Sequence, residues 1–351
     1  MKKHALLATA LGYLAATAAF GQAQPAAPRQ GPGVQSWQDA REPAVLAKCK
    51  TPPPPPPARP PAAGPAPEKS LPSVSEAIPG VIAAGQQWKV VWTEEGNNAD
   101  GIIASEDGGL LIAQNDKSDV VKLDPAGKAS VVYRDTNTGG SVARNSKGTL
   151  FIVERALNPA VWELAPQHKL LANTYKGDPL DCLGGVINDL TADSKGGVYF
   201  TMGSVYYANP KGVITQYGEN LRTNGIILSP DEKTLYVTNS ETLAAFDVQP
   251  DGSLTHQREF AKLPSGRGDG SAVDAAGRIY VTAMSNIHVF DPAGKFLGSI
   301  PAPSDVISVA FSGPDKKTLY AVVFSGSGGG PRGDQIIAIP MIAQGYKGRA
   351  K

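Results

Sequence analysis

Ser229-Pro230-Asp231-Glu232-Lys233-Thr234-Leu235-Tyr236-Val237 reads as a polar, turn-forming run that leads into an apolar strand. The same grammar recurs in Asp193-Ser194-Lys195-Gly196-Gly197-Val198-Tyr199-Phe200 and in Asp274-Ala275-Ala276-Gly277-Arg278-Ile279-Tyr280-Val281. Weaker copies lie at residues 105–112, 145–153 and 314–322. Six copies at a spacing of roughly 40 residues match the length of a four-stranded propeller blade. A second hairpin signature follows several copies. Val120-Val121-Lys122-Leu123-Asp124-Pro125-Ala126-Gly127 and Ile287-His288-Val289-Phe290-Asp291-Pro292-Ala293-Gly294 alternate apolar and polar residues, then turn at Asp-Pro-x-Gly. Two hairpins per repeat predict an all-β, six-bladed β-propeller with four-stranded blades. Trp88-Lys89-Val90-Val91-Trp92 has no partner in its own repeat, and it is expected to complete the last blade beside Gln335-Ile336-Ile337-Ala338-Ile339.

The rest of the chain divides by composition. Residues 1–22 carry Lys2 and Lys3, an apolar run from Ala5 to Phe20 and a small-residue exit, the pattern of a signal peptide. This places the mature protein in the periplasm or outside the cell. Residues 23–85 read as a disordered proline-rich leader, with an unbroken proline run at Pro52 through Pro57. The propeller is assigned to 86–344 and a C-terminal tail to 345–351. Lys and Arg number 33 against 32 Asp and Glu, with no basic block, so nucleic acid is not an expected partner. No later run is long enough to span a bilayer. A closed propeller is expected to be a monomer. The two cysteines, Cys49 and Cys182, could pair in an exported protein, or stay as two thiols; sequence gives no geometry.

About ten residues ahead of the apolar strands stand Asp100-Gly101, Asn188-Asp189, Asn224-Gly225 and Asp269-Gly270. Taken singly, Asx-Gly is a turn dipeptide. Repeated at one place in four blades, it offers two carboxylates and two amide carbonyls to the channel axis. Such donors suit a hard divalent cation, Ca²⁺ foremost, with Mg²⁺, Mn²⁺ or Zn²⁺ as alternatives; no His or Cys joins the set. Asp107, Asp193, Asp231, Asp274 and Asp315 recur in the turn just before the strand and read as turn residues. His168, His256 and His288 fall in hairpins, as surface or packing residues. The run Gly326-Ser327-Gly328-Gly329-Gly330 lacks the Lys and helix of a phosphate loop and reads as a flexible loop.

Residues 224–237, Asn188-Asp189-Leu190 before Gly197-Val198-Tyr199-Phe200, and Gly268-Asp269-Gly270 before Val273-Asp274-Ala275-Ala276-Gly277 resemble the gluconolactonase and regucalcin (senescence marker protein) family. The resemblance runs from about Asp100 to Val323. It implies a six-bladed propeller that hydrolyses lactones with one divalent metal in the channel. Carried over position by position, it implies Asp100, Asn188, Asn224 and Asp269 as metal ligands and Asp269 as general base. The family's Glu-Gly-Pro is matched here by Asp100-Gly101-Ile102, with Glu95-Gly96 as the alternative match. Val186 stands where the animal enzymes have Arg, which implies a less polar substrate. The function expected is a metal-dependent lactone or ester hydrolase, with Asp189 or Glu154 as alternative bases. The alternative is a non-catalytic metal-containing propeller that binds a small ligand or a protein.

Overall fold

The computed structural model describes residues 39–53, 71–72, 74, 76–95, 99–325 and 333–351. The signal peptide, most of the proline run and the glycine run at 326–330 lie outside the described residues. Six four-stranded antiparallel sheets form the propeller. Their inner strands are Ala99–Ala104, Ser141–Arg144, Leu190–Ala192, Thr223–Leu228, Gly268–Val273 and Val306–Ser312. Each packs on the next, and Ala99–Ala104 packs on Val306–Ser312, so the inner strands make a closed ring.

The ring closes as the sequence predicts. Lys89–Glu95 is the outermost strand of the last blade, with Lys89 opposite Ala338 and Thr93 opposite Gln335. Its blade partners come from the far end of the chain, so one sheet joins both ends of the propeller. The turn aspartates Asp193 and Asp274 also behave as read. Asp193 Oδ1 accepts from the amides of Lys195 and Gly197, both at 2.8 Å. Asp274 Oδ1 accepts from Ala276 at 2.9 Å and Arg278 at 3.0 Å. Asp124 and Asp291 hold their Asp-Pro-x-Gly turns in the same way. These carboxylates satisfy amides that the tight turn would otherwise leave unpaired.

Alternating strands put one apolar face of each blade against its neighbour. The described residues form six buried clusters, one in each blade-to-blade interface. Tyr199, Tyr280, Phe151, Phe200 and Phe290 are the largest fully buried side chains in them.

Two expected boundaries move. The leader at 23–85 is not disordered throughout. Val74, Ile78, Val81 and Ile82 are buried with Trp88 in the cluster between the fifth and sixth blades. They are scattered among Pro and Gly, without a period that sequence reading could detect. Residues 42–46 form a short helix, and Cys49 is bonded to Cys182 with Cα atoms 5.5 Å apart. The segment assigned to a tail is also built in. Gly345 bridges to Asp274 and Ala350 to Arg144, so it crosses the end of the channel opposite Asx-Gly. Among the described residues no helix is long and apolar enough to cross a membrane.

Candidate functional site

Three of the four Asx residues sit on a β-bulge. Register shifts interrupt the inner strands between Ala99 and Ile102, Thr223 and Ile226, and Gly268 and Ser271. A bulge bends its strand and re-aims one side chain, and it often lies at a barrel rim. The glycine that follows has a separate reason. A Cβ on Gly101 would lie 2.7 Å from Ser141 Cα, and one on Gly225 would lie 2.1 Å from the Asp269 carbonyl oxygen. The inner strands approach too closely at this end of the channel to admit a side chain. The sequence dipeptide thus combines a bulge residue with a glycine demanded by the neighbouring blade.

Asp100 Oδ2 lies 2.6 Å from Arg155 Nη2. The same nitrogen donates to Asn188 Oδ1 at 2.8 Å and to the Asn188 carbonyl at 2.6 Å. Asn188 Nδ2 in turn donates to Asn224 Oδ1. Asp269 is half-buried, and its carboxyl is held well above the usual carboxylate range. Burial is the largest cause; the carboxylates of Asp100 and Asp189 add to it, while Lys351 and Arg155 oppose it. Asp100, Asn188 and Asn224 are thus linked through Arg155, while Asp269 feels the charge of Asp100 and lines one cavity with Asn224. Glu95 is placed elsewhere, on the outermost strand of the last blade opposite Gly333.

Asp189 is buried and fully engaged. Its Oδ1 accepts from Ser141 Oγ at 2.7 Å and pairs with Lys351 Nζ; its Oδ2 accepts from the Ile226 amide at 3.0 Å. These partners tie three blades and the segment 345–351 at one carboxylate. Glu154 is buried at the end of its strand, where desolvation pushes its carboxyl up to about 7. The histidines lie in packing or surface positions. His168 stacks on Trp162, His256 is exposed beside Asp247, and His288 is buried against Ser299.

A cavity of about 470 Å³ borders the site on the side of Asn224 and Asp269, which line it together with Glu241, Arg267, Asp305 and Phe324. Its size falls in the range of small-molecule pockets. Residues 118–325, more than half of the chain, match the SMP-30/Gluconolactonase/LRE-like region.

The chain belongs to the SMP-30/gluconolactonase family.

A gluconolactonase of Zymomonas mobilis is 26% identical over 283 residues, which span 68% of this chain and 77% of that protein. Lactonase drp35 of Staphylococcus epidermidis is 26% identical over 264 residues, 67% of this chain and 78% of its own length. Among solved structures, a gluconolactonase from Xanthomonas campestris superposes with a TM-score of 0.64 at 23% identity, covering 80% of this chain and 99% of that one. Regucalcin from Agrobacterium tumefaciens, a calcium-binding protein, gives 0.57 at 19% identity, covering 75% and 97%. The two structural likenesses establish the shared fold.

Within this SMP-30/gluconolactonase chain, three features escaped the sequence reading. Arg155 is the first; nothing in Val153-Glu154-Arg155 separates it from any charged strand end. The second is a set of buried threonines, Thr201, Thr238 and Thr282, one on the second strand of each of three blades. Thr238 Oγ1 accepts from the Gly225 amide at 2.7 Å, Thr201 Oγ1 donates to the Asn224 carbonyl, and Thr282 Oγ1 donates to the Gly270 carbonyl at 3.1 Å. Their recurrence is legible in the sequence as Tyr199-Phe200-Thr201, Tyr236-Val237-Thr238 and Tyr280-Val281-Thr282. Lys351 is the third, reaching Asp189 from the far end of the channel.

Among the described residues no group of three or more His, Cys, Asp or Glu could hold a metal ion. The converging set contains two carboxylates and two amides, so its chemistry fits a hard cation through oxygen donors of both kinds. Burial is the main cause of the upward push on Asp269, and the carboxylates of Asp100 and Asp189 add the part that a cation would relieve.

Proposed function

We propose that this chain hydrolyses a lactone or a related carboxylic ester at the mouth of its channel. The observation that carries the reading is Asp269, a carboxyl with strongly raised proton affinity that lines a ligand-sized cavity together with Asn224 and feels the charge of Arg155. The gluconolactonase and lactonase relatives supply the substrate class. Burial keeps the proton affinity of the Asp269 carboxyl above that of an ordinary aspartate, which suits a group that takes and returns a proton, and a bound cation would offset part of that rise. Asp269 thus removes a proton from a water that adds to the carbonyl carbon, and returns it to the ring oxygen as the C–O bond breaks. Asn188, Asn224 and, with no cation bound, the Arg155 guanidinium form one hydrogen-bonded set whose N–H groups would be available to an oxyanion. Asp100, Asn188, Asn224 and Asp269 would hold the divalent cation, Ca²⁺ foremost, in place of the Arg155 guanidinium, and a cation there would stabilise negative charge on the carbonyl oxygen. The calcium-binding regucalcin relative supports this assignment.

Export to an oxidising compartment, periplasmic or extracellular, is part of the proposal and is supported by the Cys49–Cys182 bond. The test is a panel of lactones, aryl esters and phosphotriesters assayed with the full oxidised chain. Asp269→Asn is expected to lower kcat/KM by about 10²–10³-fold on any substrate found, with the melting temperature kept or raised. Absence of turnover across the panel would leave the non-catalytic binding propeller as the reading.

A further inference from the structure

We infer that the Arg155 guanidinium is a built-in cation seated where the oxygen donors would receive a divalent ion, so that metal binding to this chain requires Arg155 to be displaced. The inference rests on the cation site proposed above and concerns what already occupies it. Arg155 Nη2 is 2.6 Å from Asp100 Oδ2 and 2.8 Å from Asn188 Oδ1, two of the oxygens assigned to the metal. The Asn188 carbonyl, at 2.6 Å, is a third acceptor for the same nitrogen. Asn188 Nδ2 then engages Asn224 Oδ1, so a third member of the set is drawn into the same network. A guanidinium cannot lose its charge at any ordinary pH, so its occupancy is that of a permanent cation.

The seat is shaped for it. Nε donates to the Ile187 carbonyl at 2.8 Å, which fixes the plane of the fork. Arg155 also lies across Gly140, where an added Cβ would fall 1.8 Å from its Cζ and Nε. Any side chain at position 140 would evict the guanidinium. The charge count agrees. Asp100, Asp189 and Asp269 share the channel with Arg155 and Lys351, and Lys351 is committed to Asp189. Arg155 is the cation paired with Asp100. With Arg155 in place, a divalent ion meets a like charge within the coordination distance. Without it, the carboxylates are left with the negative charge that a divalent ion neutralises.

The experiment is calorimetric titration of CaCl₂ into the full oxidised chain and into Arg155→Ala, Arg155→Gln and Arg155→Lys. The expected result is at least tenfold tighter binding by the Ala and Gln variants, with Arg155→Lys within about threefold of the wild type because it keeps the charge. Circular dichroism and the melting temperature check folding, and the Gln variant carries the test if Ala fails to fold. Equal or weaker binding by both neutral variants overturns the inference and leaves the cation site standing. No binding by any of the four chains overturns both. The lactone panel, run with and without chelator, then decides the hydrolase reading separately.

Discussion

Glu154 shows how a single buried carboxyl can tie stability to pH. It is 9% exposed, and desolvation raises its proton affinity to about 7 from an ordinary 4.5. The folded state therefore binds more protons than the unfolded state between those two values. Its contribution is fully present below about 4.5 and is lost as pH rises through about 7. Above that range the folded protein carries a charge it solvates poorly. Glu154→Gln removes the charge and keeps the shape. The variant is expected to be more stable at pH 8 by on the order of 1–3 kcal/mol, and nearly unchanged at pH 4. Thermal melts of both chains at the two pH values check this. Equal gains at both pH values would mean that Glu154 acts through packing and not through its charge.

At the scale of elements, the disulfide joins two pieces too short to stand alone. The helix at Glu42–Leu46 has five residues and buries only Val45. Helices of this length are unstable in isolation. Its neighbourhood is fixed to the 3-10 turn at Leu180–Leu183 by the Cys49–Cys182 bond, and Lys50 Nζ reaches the Lys176 carbonyl at 2.9 Å. With so few other contacts, loss of the bond should open this segment locally while the propeller stays folded. Cys182→Ser is expected to make the chain cleavable by trypsin at Lys48 and Lys50, with little change in the main melting transition. Undiminished resistance at those lysines would show that packing alone holds the segment. The elements differ in how far the sequence reveals them. Alternating strands and Asp-Pro-x-Gly turns leave a two-residue period and fixed turn chemistry, so blades and closure are legible. A bulge shifts register by one residue and leaves only a glycine, so Asp100, Asn224 and Asp269 are found as Asx-Gly without the reason for it. Arg155 leaves no mark at all, because its role comes from the empty space at Gly140, a residue of the preceding strand's approach.

The whole molecule is stitched at one mouth by the segment 341–351. The amides of Ile342 and Ala343 donate to the Val81 carbonyl at 2.9 and 3.0 Å, and Lys316 Nζ donates to the Tyr346 carbonyl at 2.8 Å. Gly345 meets the fifth blade at Asp274, Ala350 the second at Arg144, and Lys351 the third at Asp189. The fourth blade is held by Arg349, whose Nη2 donates to the Leu228 carbonyl at 2.6 Å and whose Nη1 lies 3.5 Å from Glu232. A propeller has no core that spans all blades; each blade packs only on its two neighbours. A strap that touches five blades therefore adds ties that the interfaces lack. Arg349 is 5% exposed, so its removal leaves both a cavity and a carboxylate without its cation. Glu232 keeps its bonds from Ser194, which limits the loss. Arg349→Ala is expected to cost about 2–4 kcal/mol and to lower the melting temperature by roughly 4–12 °C. Differential scanning calorimetry checks it. A shift under about one degree would mean that the strap adds nothing to the ring, and that closure rests on Lys89–Glu95 alone.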